Sequence, residues 1–493
     1  MTRRHFDFSA DNYLDIRNMY VQALEQRTLI DFENIDEITV EDLHFWTGLN
    51  HNQFNELLDQ VPSLRRGSNT PRTDLGIYLS KIRTGEPSIR LSTVFNKSRQ
   101  TIDRKINFTR RYLFNDFVPL HLGFDHITRS EVIERNRVLP NHIFGIGETP
   151  KAILICDGSY IFIQKSSNFL FQRNSYSLHK YQNLIKPFMI VCGDGYIIDV
   201  TGPYDATTSD ASIMQQILQN HDGPMEEAPI NYFLEEGDVF ILDRGFRDSI
   251  PLLESYGYVA HVPLSVTRGE SQLTTDLANK SRRVTLCRWV VETINGRFKR
   301  DFKIFRHKVF NRTLPNTMKD FKIAAAIINC FQEPYEDSRY TNQFIDIINN
   351  VNNHNHLCDY VLEHNLNRQR VAFIRMQADL PELVDFPRLT HEDLILIAVG
   401  TYHLKIARSY CSKHIKQTDV YELEVFRHPE LIHINDENCV LIRCRIQSRH
   451  VRSKIYYITP TFFIKGKMAE MAYQDITAPA FMGGEHWAVA PTS

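Results

Sequence analysis

From Pro150 to about Val309 the chain repeats one pattern: short apolar runs rich in branched and aromatic residues, separated by turns and amphipathic stretches. The runs KAILIC, SYIFIQ, KPFMIVCG and YIIDVTG come first, and a Gly-Asp-Gly turn joins the last two as a hairpin. The helix-spaced stretch SDASIMQQILQ follows. After it come the strand VFILD, a helix around RDSIPLLESY, the strand YVAHVP and a long basic helix in RRVTLCRWVVETINGRFKR. A block of strands followed by helix, strand, helix, strand, helix predicts a mixed sheet flanked by helices.

Three acids occupy telling places in this pattern. Asp157 and Asp243 each end a strongly apolar strand, where a charge is costly unless it is satisfied. Glu292 lies on the basic helix. Each has an ordinary explanation. A strand-end Asp is often a turn residue or cap, the reading given to Asp194, Asp238 and Asp248, and Glu292 is placed to pair with Arg288 or Lys299. Together they suit metal-assisted phosphodiester chemistry, since Mg²⁺ prefers carboxylate ligands and a pair of divalent ions activates one oxygen and relieves charge on another. On this reading Asp157 bridges the ions at mid-sheet, Asp243 is the second ligand from the neighbouring strand, and Glu292 is delivered from a helix packed across them. Arg288 and Lys299, four before and seven after Glu292, roughly share its face and are candidates for holding phosphates. Trp289 is expected in the core.

A net charge of −2 across 493 residues excludes a uniformly basic DNA-coating protein, so a nucleic-acid surface has to be local. Two stretches qualify: Arg90 to Arg111 holds seven Lys/Arg against one Asp, and Arg282 to Lys308 holds nine against one Glu and one Asp. Around the first, Asn50 is expected to cap HNQFNELLDQV, Thr73 to cap DLGIYLSKIR and Gly85 to stop it. In SIRLSTVFNKSRQTIDRKINFTRRYLF two apolar faces break at Asn96-Lys97-Ser98, which reads as a helix-turn-helix. Ser98 then caps the second helix, and Arg99, Gln100, Asp103 and Arg104 point outward. Arg90 and Lys105 complete the expected DNA-binding set there, and Arg300 joins Arg288 and Lys299 on the second stretch. The other reading is a three-helix bundle with basic decoration.

The chain thus divides into an N-terminal extension (1–39), a helical DNA-binding domain (40–116), a linker (117–149), an RNase H-like α/β catalytic domain (150–335), a helical connector (336–388) and a small C-terminal α+β domain (389–493). Eight cysteines without CxxC pairs fit reduced, buried thiols. The spacing of Cys411, His414, Cys439 and Cys444 does not favour a zinc site. No window approaches a membrane span and no apolar signal core opens the chain, so a soluble intracellular protein is expected.

The motifs ICDGSYIFIQK, FQRNSYSLHKYQNLIKPFMIV, GPYDATTSDASI, FILDRGFRD and SRRVTLCRWVVETINGRFK resemble those of Harbinger-like DDE transposases, a group of DDE endonucleases with an N-terminal helix-turn-helix. The resemblance runs from about Val40 to Val309. It implies that Asp157, Asp243 and Glu292, separated by 86 and 49 residues, are the catalytic and metal-binding D, D and E. It further implies two Mg²⁺ or Mn²⁺ ions, double-stranded DNA partners at transposon ends and target, a homodimer or higher oligomer, and a nuclear location. Asp210 matches the family's Ser-Asp pair and is expected to cap a helix or support the ligands from behind. Ser448, Arg449 and His450 resemble a domain often appended to such transposases. A domesticated DNA-binding derivative, or a nuclease without strand transfer, are the alternative functions.

Overall fold

A computed structural model describes residues 10–25, 28–219, 228–265 and 273–351, and beyond these 354, 356–366, 371–375, 389–402, 404–405, 407, 421–427, 433–434, 437–447, 455–458 and 461–463. The predicted strands assemble into one seven-stranded mixed sheet made of β1 (Ile153–Gly158), β2 (Ile161–Phe162), β3 (Tyr176–Ser177), β4 (Gln182–Cys192), β5 (Ile197–Asp205), β6 (Val239–Ile241) and β7 (Val259–His261). The long β4 pairs antiparallel with β1, β2, β3 and β5, while β1, β6 and β7 run parallel. The β4–β5 hairpin turns through Gly193-Asp194-Gly195, as expected, with Gly195 at φ 88°.

Side-chain alternation builds two cores from the same strands. Ile153, Ile155, Val239 and Ile241 face one layer, and Leu154, Cys156, Phe240 and Leu242 face the other. Each such aliphatic side chain contributes roughly 1.5–3 kcal/mol on burial. The first layer is covered by α6 (Thr275–Asp301) and α7 (Leu314–Phe331), the second by α5 (Asp210–Gln219).

The N-terminal helices join the first core. Among them, α1 (Pro71–Thr84), α2 (Ser88–Val94) and α3 (Arg99–Tyr112) bury Leu75, Leu79, Leu91, Ile102 and Ile106. Asn50 and Ser98 cap their helices through side-chain oxygens, and Gly85 ends α1 in the left-handed conformation. Thr73 is not a cap: α1 begins two residues earlier behind Thr70, with Pro71 in its first turn, and the Thr73 amide donates to Glu33 instead. A buried ion pair ties α3 to α7. Arg110 donates to both oxygens of Asp320 at 2.6 and 3.1 Å, and the Tyr78 hydroxyl donates to the same carboxylate at 2.8 Å.

Residues 117–149, expected as a linker, pack against the sheet instead. They form short helices that bring Val132 into the second core. Arg129 forks onto fully buried Asp238 at 2.7 and 2.8 Å, and Arg135 meets buried Asp194 at 2.8 Å. Asp194 and Asp238 do accept turn amides, from Tyr196 and Glu235, but they also anchor this segment. Part of the expected connector is likewise recruited elsewhere: β8 (Phe373–Arg375) pairs with β9 (Tyr421–Phe426) in a C-terminal sheet that continues to β10 (Glu437–Gln447), β11 (Ile455–Ile458) and β12 (Thr461–Phe463). Cys411, His414 and residues 448–450 lie outside the described residues. No helix among the described residues is long and apolar enough to cross a membrane.

Candidate active site

Parity and register bring the two aspartates together. Ile155 on β1 is level with Ile241 on β6, so Asp157 and Asp243, each two residues further on, stand at one height on the face that α6 covers. On α6 the buried stripe Cys287, Val291, Ile294 and Phe298 packs on the sheet. Arg288, Glu292, Asn295 and Lys299 form the row beside it, one position on, and therefore line the edge of that contact at the strand ends.

The three carboxylates meet around one cation. Arg288 Nη1 is 3.3 Å from Glu292, and Nη2 is 3.9 Å from both Asp157 and Asp243. Burial opposes the Arg288 charge, yet Asp157, Glu292 and Asp243 hold its pKa above the ordinary value. Burial pushes Asp157 up to about 7; Arg288 pulls it down, and Asp243, Asp210 and Glu292 push it up again. Asn295 Nδ2 donates to Asp157 at 3.1 Å. Asp243 also caps the short 3₁₀ turn Arg244–Ser249 by accepting from the Gly245 amide at 2.6 Å, so its role as a turn residue and its place in the cluster coexist.

Asp210 is a fourth acid beside the triad. Ser209, not Asp210, caps α5, since the Ser212 amide donates to its hydroxyl at 3.1 Å. Asp210 instead pairs with Lys186 at 3.3 Å and packs against Gly158 and Gly245, where a Cβ would stand 3.1 Å from its oxygens. Glycine after Asp157 and again after Arg244 is what lets this carboxylate approach.

The other side of the cluster is closed from far along the chain. Helix α8 (His391–Ala398) packs Ile395 against α6 together with Leu286, Phe344 and Val399, and Arg282 donates to the Ile397 carbonyl at 3.1 Å. This places Tyr402 so that its hydroxyl hydrogen-bonds Glu292, with its ring 6.3 Å from Trp289. Burial and then Glu292 push the Tyr402 hydroxyl well up. Trp289 packs against the first core and lies 5.3 Å from the Tyr335 ring.

The remaining expected DNA contacts divide. Arg99, Gln100 and Arg104 are exposed, and so is Arg90, which pairs with Glu86 at 3.1 Å. Lys105 turns inward, where it pairs with buried Asp74 and donates to Thr70 at 3.1 Å, because its side of α3 packs on α1. Arg288 is held by the carboxylates instead of facing outward. Arg300 is exposed but forks onto Asp301 at 2.7 and 2.9 Å. Lys299 is half-buried; burial and then Lys180 lower its pKa, while Asp157 raises it.

Sequence reading missed Asn295, Lys186 and Tyr402. Asn295 was discoverable, three residues after Glu292 on the same helical row. Tyr402, 110 residues from its partner, carries no local signal.

Residues 156–329 match the family model described as DDE superfamily endonuclease, an interval that contains all three triad acids. No curated protein and no solved structure matches the chain. The match supports a DDE transposase-like family, with nuclease activity and a DNA substrate, and the mixed sheet under its helices is compatible with such a nuclease core.

The donor set suits the divalent ions typical of that superfamily: it is all hard oxygen, and its mutual repulsion is relieved by a cation. Among the described residues Arg288 Nε and Asn295 Oδ1, buried beside it, have no hydrogen-bond partner, which leaves polar capacity at the site unmet. The spacing is set around the guanidinium, and among the described residues no three His, Cys, Asp or Glu groups draw together as a ligand cluster. A divalent ion held by these oxygens would compete with Arg288 for them.

Proposed function

We propose that this chain is a DNA transposase of the DDE type, built on an RNase H-like core. The strand order β5-β4-β1-β6-β7, with the first three antiparallel and the last three parallel, supports that core. The observation that carries the reading is the convergence of Asp157, Asp243 and Glu292, from two strand ends and a crossing helix, on one partly buried cation. These three residues hold divalent metal, which when bound activates the attacking oxygen and offsets charge on the leaving one. Asn295 orients Asp157, and Lys186 holds Asp210 behind it. Lys299 faces phosphate. The α2–α3 pair acts as the helix-turn-helix, with Arg99, Gln100 and Arg104 toward DNA and Arg90 at its flank. Lys105 is left out of this surface because Asp74 engages it. The 3′-hydroxyl freed at a transposon end then attacks target DNA, in a dimer or larger assembly within the nucleus.

A second reading, a DNA-binding derivative that no longer cuts, is favoured by one feature: Arg288 and Tyr402 already satisfy the triad from within. Incubation of the full chain with supercoiled plasmid and labelled duplex in Mn²⁺ or Mg²⁺, beside Asp157→Asn, separates the possibilities. Cutting and joining by the wild type alone supports the transposase. Cutting without joining leaves a nuclease, and DNA binding without cutting in either metal overturns catalysis in favour of the second reading.

A further inference from the structure

The thirty-six residues between Asp157 and Asp194 contain no Asp or Glu, although a chain with 59 acids in 493 residues would place about four there. Their cations include Lys165, Arg173 and Lys180, all exposed. Among these stand four large apolar side chains in solvent: Phe169 (79% exposed), Leu170 (65%), Leu178 (80%) and Tyr181 (78%). Single exposed apolar residues are ordinary, but four within thirteen positions make a patch.

The patch is held firmly. It consists of α4 (Phe169–Ser175) and the tip of the β3–β4 hairpin. Phe171 packs against the first core, and Asn183 at the base of the hairpin accepts from Gln172 at 3.1 Å and donates to Ser175 at 2.9 Å. Tyr181 sits at φ 54°, a left-handed conformation that a tyrosine adopts only where its surroundings impose it, and there its ring points outward. The patch also borders the triad. Lys180 lies 5.1 Å from the ring of Tyr160, three residues after Asp157, and is close enough to Lys299 to repel it.

Resting on the nuclease reading above, we propose that this surface is a platform for unpaired nucleotides at a DNA end beside the cutting site. Aromatic and aliphatic faces find little to bind on an intact duplex, whose bases are stacked inward, whereas unstacked bases lie flat on such faces while Lys and Arg follow the phosphates. A second copy of the chain is the poorer occupant, because an acid-free basic patch set against itself repels.

Fluorescence anisotropy of the full chain, without divalent metal, compares a fully paired duplex with the same duplex bearing a mismatched, frayed end. The frayed end is expected to bind tighter by roughly 5- to 150-fold for each base stacked. Phe169→Ser with Leu178→Ser should bring it back to the level of the paired duplex, with the paired affinity and the melting temperature unchanged. Equal affinity of the wild type for both duplexes overturns the platform while the nuclease reading stands. Binding of neither duplex removes both. A loss of oligomer mass in the double variant, measured by light scattering, assigns the patch to self-association and overturns the platform as well.

Discussion

Replacing Asp157 with Asn should stabilise the metal-free protein, although it removes the proposed central ligand. Burial and its acidic neighbours raise the carboxyl to about 7 in the folded state, against about 3.9 in an unfolded chain. A carboxyl raised in this way favours folding while it is protonated; its contribution is fully present below about pH 4 and is lost as pH rises through 7. Three units at about 1.4 kcal/mol each set an upper bound of about 4 kcal/mol for the cost at pH 8. Because 15% of the Asp157 side chain reaches solvent, about half of that is expected, roughly 2 kcal/mol or a rise in melting temperature of about 2–4 °C. Asn keeps an oxygen to accept from Asn295. Thermal unfolding in chelator should therefore show the variant above the wild type at pH 8 and the gap shrinking to about two thirds at pH 5 and to about a quarter at pH 4. Added Mg²⁺ at pH 8 should raise only the wild type. A variant less stable than the wild type at pH 8, or a gap that does not change with pH, refutes the buried-charge account.

Three further outcomes follow from the same contacts. Tyr402→Phe removes a donor that competes with metal for a Glu292 oxygen, so Mn²⁺ affinity by titration should rise about 10- to 150-fold, the worth of one hydrogen bond to a charged group; a fall would show that the hydroxyl orients the ligand instead. Arg104→Ala should weaken duplex binding with no change in melting, whereas Lys105→Ala should cost about 2 kcal/mol of stability by stranding Asp74, and urea unfolding beside anisotropy tells the two apart. Asp320→Asn leaves Arg110 buried without its counter-charge and should destabilise by about 3 kcal/mol in the same unfolding assay; a loss under 1 kcal/mol would mean that the α3–α7 tie is incidental.

Much of the sheet was legible because strands with apolar residues on both faces leave few alternatives, and the caps at Asn50 and Ser98 and the stop at Gly85 were local signals. The acids were legible for the same reason, since a charge closing a buried strand demands a use. What escaped was decided by tertiary pairing. Asp194 and Asp238 look like turn residues because they are, but their remaining oxygens recruit Arg135 and Arg129 and so convert an apparent linker into part of the fold. Arg288 was placed on the face of Glu292, yet helical spacing could not say that this face meets two strand ends. Lys105 and Arg104 are neighbours in sequence, and only the packing of α3 on α1 separates an inward cation from an outward one.

The first core runs unbroken from Phe32 through α1 and α3 to the sheet and α7, and the Arg110–Asp320 pair lies within it. Such a continuous interior allows no swivel between the basic face of α3 and the carboxylates. On the proposed reading the molecule is therefore a ruler: the number of base pairs between the sequence it grips and the phosphate it cuts is fixed by its packing, and a change in that interior would move the cut.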